Sequence, residues 1–136
     1  MRFKDLNGRL RFLNVEKQRI KWDESSLSKF QFGVKQFLKK YWENNICYEE
    51  MRMLGTRLRL DIYNATKRIG IECNGGQHTK FNKFFHDNNR INYWHQIRRD
   101  GVKYQWCENN QIILIDIYPA DLPLTKTFFD KLNISL

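Results

Sequence analysis

The chain has 136 residues, 41% hydrophobic and 15% aromatic, which suits one domain around a single well-filled core. Its 24 Lys+Arg outweigh 15 Asp+Glu for a net charge of +9, the electrostatic footprint of a polyanion binder. No run of about 18 apolar residues exists to span a membrane. The N-terminal MRFKDLNGRLRF lacks the apolar stretch of a secretory signal. Cys47, Cys73 and Cys107 are widely spaced and form no C-x-x-C pair, which speaks against disulfide and zinc frameworks and for a reduced, cytosolic setting.

The charge is concentrated early: residues 1–42 hold 11 basic and 4 acidic residues. Solubility alone or loose attraction to a membrane surface would also use such an excess. A membrane-surface helix, however, sets one broad apolar face opposite its Lys/Arg, and no predicted helix here does so cleanly. Nucleic acid is the favoured partner.

In chain order, residues 5–23 carry strand-like residues around Asn7-Gly8 and predict an N-terminal β-ribbon, an extension over 1–24. Residues 25–42 predict a helix after a serine cap, with an apolar stripe of Leu27, Phe30, Val34, Phe37, Leu38 and Tyr41. Three short strands follow at 46–53, 57–63 and 68–73. A second helical region runs from about Asn82 to Glu108, broken near Gly101, and QIILIDI (111–117) reads as a buried strand. Pro119 and Pro123 precede a short terminal helix around 125–132. The expectation is one α/β (α+β) domain over 1–136: an αβββαβ core (25–118) with a mixed central sheet, the N-terminal ribbon and a C-terminal helix (119–136).

The second and third strands permit a register argument. With the turn at Thr66-Lys67, Leu60 faces Cys73 and Ile62 faces Ile71, and Leu58 shares their apolar side by alternation. The other side then carries Arg57, Arg59, Asp61 and Tyr63 against Arg68, Gly70, Glu72 and Asn74. Asp61 lies directly opposite Glu72 in this register, with Cα atoms about 4.5–5.5 Å apart. Facing carboxylates repel, so a cation should compensate: an arginine such as Arg59, giving a structural ion cluster, or a hard divalent ion such as Mg²⁺ held by oxygen ligands. Gly75 and Gly76 just beyond would let a phosphate-bearing ligand approach the backbone. The basic composition independently favours a phosphodiester, and hence the metal.

The residues Asp61, Glu72 and Asn74, in a helix, three strands, helix, strand order, resemble the PD-(D/E)XK restriction-endonuclease-like nucleases. The stretches IECNGGQH, FNKFFHDNNR and RRDGVKYQWCENNQIILIDI are similar to the branch holding very-short-patch repair and phage free-standing homing endonucleases. The resemblance covers about residues 28–117. It implies a metal-dependent DNA endonuclease, with Asp61 as the first acid, Glu72 as the second and His78 as the histidine that assists catalysis. Asn74 falls where the family places lysine and cannot supply its positive charge; Lys80 or His78 would take over. Related nucleases often carry an acid on the first helix, where this chain has Gln31, either orienting a metal-bound water or acting as a satisfied core amide. Glu50, in phase with Arg52 while Glu49 shares the face of Met51 and Met53, is the expected third acid.

The reading that follows is a double-stranded DNA endonuclease. Asp61, Glu72 and the carbonyl of Cys73 hold Mg²⁺ (Mn²⁺ can substitute), which activates water and neutralises phosphate charge. Glu50 adds a ligand, His78 shuttles a proton, and Asn74 and Gln77 position water or phosphate. The ribbon and first helix grip the backbone through Arg9, Arg11, Lys35 and Lys39, with Arg57, Arg59, Lys80 and Arg90 as further contacts. Double-strand cleavage by so small a site favours a homodimer. A phage homing role would place the protein in the host cytoplasm. The rivals are a His-based ββα-metal nuclease using His78, His86 and His95, and a non-catalytic DNA-binding protein.

Overall fold

A computed structural model describes residues 1–75 and 101–136. The chain begins with the expected ribbon, β1 (Arg2–Lys4) and β2 (Leu10–Phe12), paired antiparallel with Arg2 opposite Phe12. Asp5 closes its turn, its Oδ1 accepting the backbone N–H groups of Asn7 and Arg9, and Gly8 takes the positive φ of +81° that the turn needs. The ribbon is fastened to the body of the protein. Phe3 packs 5.1 Å from the Trp106 ring, and Asn110 both accepts from the Lys4 N–H and donates to the Lys4 carbonyl.

Helix α1 (Lys29–Trp42) starts where Ser28 Oγ accepts the Gln31 backbone N–H. Its buried face is Gln31, Val34, Lys35, Leu38 and Trp42, whereas Leu27 is 80% exposed and Tyr41 lies at the surface. The face is therefore rotated from the expected stripe because two polar side chains, Gln31 and Lys35, occupy it. Their partners lie on the sheet below.

The sheet comprises β3 (Cys47–Arg52), β4 (Arg59–Asn64), β5 (Ile69–Cys73) and β6 (Ile113–Ile117), in that spatial order. The first three strands are antiparallel and β6 runs parallel to β5, so the sheet is mixed as expected. Val34, Leu38 and Trp42 of α1 pack with Ile62, Ile71, Ile115 and Ile117 on one face, joined by Phe129 of the terminal helix α3 (Lys126–Lys131). On the other face Phe3 and Leu13 of the ribbon region, with Trp106 and Cys107 of the helical residues 101–109 (α2), cover Tyr48, Met51, Leu60 and Tyr63. The predicted helical region before Gly101 lies outside the described residues. The domain is thus α+β in three layers.

The β4–β5 register is the expected one, with Ile62 opposite Ile71 and Tyr63 opposite Gly70. Alternation along β3 and β4 is not. Cys47 and Ile62 face α1, yet Met51 and Leu60, which strict alternation would put on that side, pack on the opposite face. Both strands change sides at the same rung. Pairing runs from Glu49–Ile62 to Met51–Leu60 and skips Glu50 and Asp61, and Glu50 has a φ of +55°. The expectation that Leu60 shares a face with Ile62, and Glu49 with Met51, is corrected by this joint: a left-handed residue rotates the following side chains to the other face without shifting the register.

Candidate active site at the side-switch of the sheet

The unpaired rung places two of the predicted acids, Glu50 and Asp61, at one level of the sheet, and Glu72 stands beside Asp61 on β5. Asp61 Oδ2 accepts the backbone N–H of Cys73 at 2.7 Å, so the carboxylate reaches across to the end of β5. Glu72 is 5% exposed, and its carboxyl shares a hydrogen bond with that of Asp61. Burial, and then the neighbouring Asp61 charge, push Glu72 up to about 9, and the nearby ammonium of Lys103 offsets only part of this. A carboxyl held partly protonated beside a second carboxylate is an uncompensated anionic site.

Lys103 is a residue that sequence reasoning missed. Its Nζ donates to both oxygens of Glu72, at 2.9 and 3.0 Å, from the helix that covers this face. It supplies the positive charge that Asn74 cannot, and it does the compensating that was assigned to Arg59. A signal was present: Lys103 precedes the inward-facing Trp106 and Cys107 by three and four residues, so the three share a helix face.

Glu50 sits half-buried one strand away, and burial raises its carboxyl above the ordinary value while Gln31 Nε2 donates to it at 3.1 Å. Gln31 donates also to Glu49, at 2.9 Å. It is therefore a buried amide tying α1 to both acids of β3. Glu49 belongs to a separate network, in which its Oε1 pairs with Lys35 at 3.0 Å and its Oε2 accepts from Ser26. Lys35 is fully buried and donates also to the carbonyls of Lys21 and Glu24. Its expected role as a DNA contact is overturned: all three ammonium protons have partners inside the protein.

Asn74, 7% exposed, donates to Asp116 Oδ1 at 2.7 Å and its backbone N–H bonds the Ile117 carbonyl, locking the ends of β5 and β6 together. Asp116 pairs directly with Glu72 in the parallel ladder and so stands on the same face. The alternation ILIDI flagged it as the odd polar residue of a buried strand. Beside Asp61, the Cys73 thiol is pushed up by burial and then by the two carboxylates, so sulfur stays protonated, and only its backbone carbonyl suits a hard cation.

A hard divalent ion fits this donor set. Mg²⁺ is commonly bound through one or two carboxylates, keeping several waters, and Asp61 with Glu72 offers two, in a spot where burial leaves anionic charge poorly balanced. Among the described residues no group of three or more His, Cys, Asp or Glu converges as a metal cage, so the pair is what the described chain contributes.

Of the predicted backbone contacts, Arg57 and Arg59 are exposed at the outer end of the β3–β4 hairpin, and Arg9 is exposed in the ribbon turn. Arg11 is ion-paired with Asp5 at 2.8 Å and Lys39 with Asp23 at 2.7 Å, both still reaching solvent. Gly76, Gln77, His78, Lys80 and Arg90, as well as His86 and His95, lie outside the described residues. Among the described residues no helix is long and apolar enough to cross a membrane.

No protein-family profile matches the chain, and no solved structure matches it. Among curated proteins it is similar to the uncharacterized protein 033L of Invertebrate iridescent virus 3, 40% identical over 63 residues, covering 46% of this chain and 32% of that protein. It is also similar to the uncharacterized protein 307L of Invertebrate iridescent virus 6, 37% identical over 76 residues, covering 56% of this chain and 38% of the relative. The matched part thus spans about a third of the length of these relatives.

Proposed function

We propose that this chain is a metal-dependent endonuclease that hydrolyses phosphodiester bonds of double-stranded DNA. The observation that carries the reading is the buried pair of carboxylates, Asp61 and Glu72, brought side by side across β4 and β5 with the Lys103 ammonium against them. The αβββαβ order of the fold and the net charge of +9 support it.

Asp61 and Glu72, with the Cys73 carbonyl, would hold Mg²⁺ or Mn²⁺. When bound, the ion lowers the pKa of water and neutralises charge on the scissile phosphate. The Cys73 N–H fixes Asp61 in orientation, as Gln31 fixes Glu50 at the rim. Lys103 lies within reach of charge developing at phosphorus. Asn74 keeps β5 aligned with β6 through Asp116, and so holds the Glu72 backbone in place. His78 is proposed as the proton carrier and Gln77 as a phosphate or water contact. The two matched proteins are encoded by viruses, which fits a virus-borne, homing-type nuclease acting in a host cell, as a homodimer where both strands are cut.

One observation favours a second reading, a non-catalytic DNA-binding protein: Lys103 already engages both oxygens of Glu72, as a structural ion pair would. Purified protein incubated with supercoiled plasmid in Mg²⁺ or EDTA separates the two. The nuclease reading expects Mg²⁺-dependent nicking that Asp61→Asn abolishes. Salt-sensitive binding with no nicking in any divalent ion would leave the binding protein instead.

A further inference from the structure

We infer that Arg52 and Arg59 form a clamp for a nucleic-acid backbone phosphate next to the acid pair. The two arginines are cross-strand partners at the outer rung of β3 and β4, and both are exposed. Directly opposed residues have Cβ atoms about 4.5–5.5 Å apart, and like charges in that position destabilise a hairpin. Nothing in the neighbouring sequence relieves them. Between the acids Glu50 and Asp61, residues 51–60 contain three arginines, Arg52, Arg57 and Arg59, and no Asp or Glu. Among the described residues none of the three has an ion-pair partner, whereas Arg11, Lys35, Lys39 and Lys103 each do.

The side-switch at Glu50 and Asp61 is what puts them there. Met51 and Leu60 turn to the ribbon face, so Arg52 and Arg59 turn to the α1 face. The first turn of α1 reaches Glu49 and Glu50 through Gln31, and beyond it the arginines stand open. Two strand residues span about 6–7 Å, so a strand with one phosphate at the acids presents its neighbouring phosphate to these two arms. Paired guanidinium groups suit phosphate through their fork of N–H donors. The position relative to the cut rests on the nuclease reading; phosphate binding itself does not.

The test measures binding of a fluorescent duplex in EDTA over a salt series, with plasmid nicking in Mg²⁺ scored separately. Arg52→Gln/Arg59→Gln is expected to weaken duplex binding about tenfold or more and to reduce the slope of log affinity against log salt by about 2, one unit per lost phosphate contact. Arg52→Glu, which faces Arg59 with an opposite charge, is expected to raise Tm while weakening duplex binding further. That opposition separates a ligand site from a structural pair. Unchanged duplex affinity and salt slope in both variants would overturn the clamp, as would a loss confined to binding of anionic phospholipid vesicles. Wild-type protein that never nicks DNA, with variants that still lose affinity, would sink the nuclease reading and leave the clamp standing.

Discussion

Two buried lysine–carboxylate pairs lie on opposite faces of the same sheet, and they are not equivalent. Lys35 and Glu49 form a closed set, in which each ammonium proton has an acceptor and each carboxylate oxygen has a donor. Lys103 and Glu72 form an open one. Both oxygens of Glu72 lean on a single ammonium, a second carboxylate touches it, and burial then keeps it partly protonated. The difference teaches how a sheet separates architecture from chemistry. A charge that is fully answered holds the fold together, and one that is only partly answered can take another cation.

The sharpest way to break this contrast is through activity. Asp61→Asn is expected to lower Mg²⁺-dependent plasmid nicking by about a thousandfold or more, the scale of losing a metal ligand or electrostatic anchor. If the variant nicks as the wild type does, the open pair has no catalytic meaning.

Stability gives the next largest effect. Lys35→Met strands Glu49 among groups arranged for an ion pair, and should cost about 3–5 kcal/mol in urea denaturation at pH 7. Lys103→Met should cost clearly less, about 1–2 kcal/mol, because Glu72 can take up a proton instead of standing charged. Equal losses would erase the distinction between the two faces.

The pH dependence sharpens it. Glu72 titrates higher in the folded chain, near 9, than the ordinary 4.5 of an unfolded glutamate. Between these values the folded state holds more protons, so this group's contribution to stability falls as pH rises from about 4.5 to 9. Glu72→Gln should flatten that slope in thermal melts, and millimolar Mg²⁺ should raise the Tm of the wild type at pH 8 but not that of the variant. Lys35 and Glu49 predict no such metal effect.

The smallest effect concerns the joint itself. Glu50→Gly relieves a left-handed backbone at a non-glycine residue but loses the bond from Gln31. Its urea midpoint should stay within about 1 kcal/mol of wild type while nicking falls, placing Glu50 with the site and not with the framework.

Much of this arrangement was legible in the residues. Chain order, the ribbon turn at Asn7-Gly8 and the β4–β5 register followed from alternation and turn chemistry, because Ile62 and Ile71 must share a face and Asn64–Lys67 can turn. What alternation could not show was the side-switch. A period of two presumes regular backbone, and a left-handed residue at Glu50 breaks the presumption without leaving a glycine or proline as a marker. The same limit explains Lys35. Its place in the helical stripe was visible, but its burial depends on carbonyls of Lys21 and Glu24 that only the folded chain brings near. Lys103 was missed because a helix face was read for grease and not for the one cation within it.

The joint also governs how this hairpin can tolerate length change. A residue removed from β3 alone would send every outer side chain to the wrong face, exposing Met51 and burying Arg52, while a matched removal from both strands would merely shorten the arm. Size variation among chains built this way should therefore occur in paired steps beyond Glu50 and Asp61, with the inner rungs and their carboxylates left undisturbed.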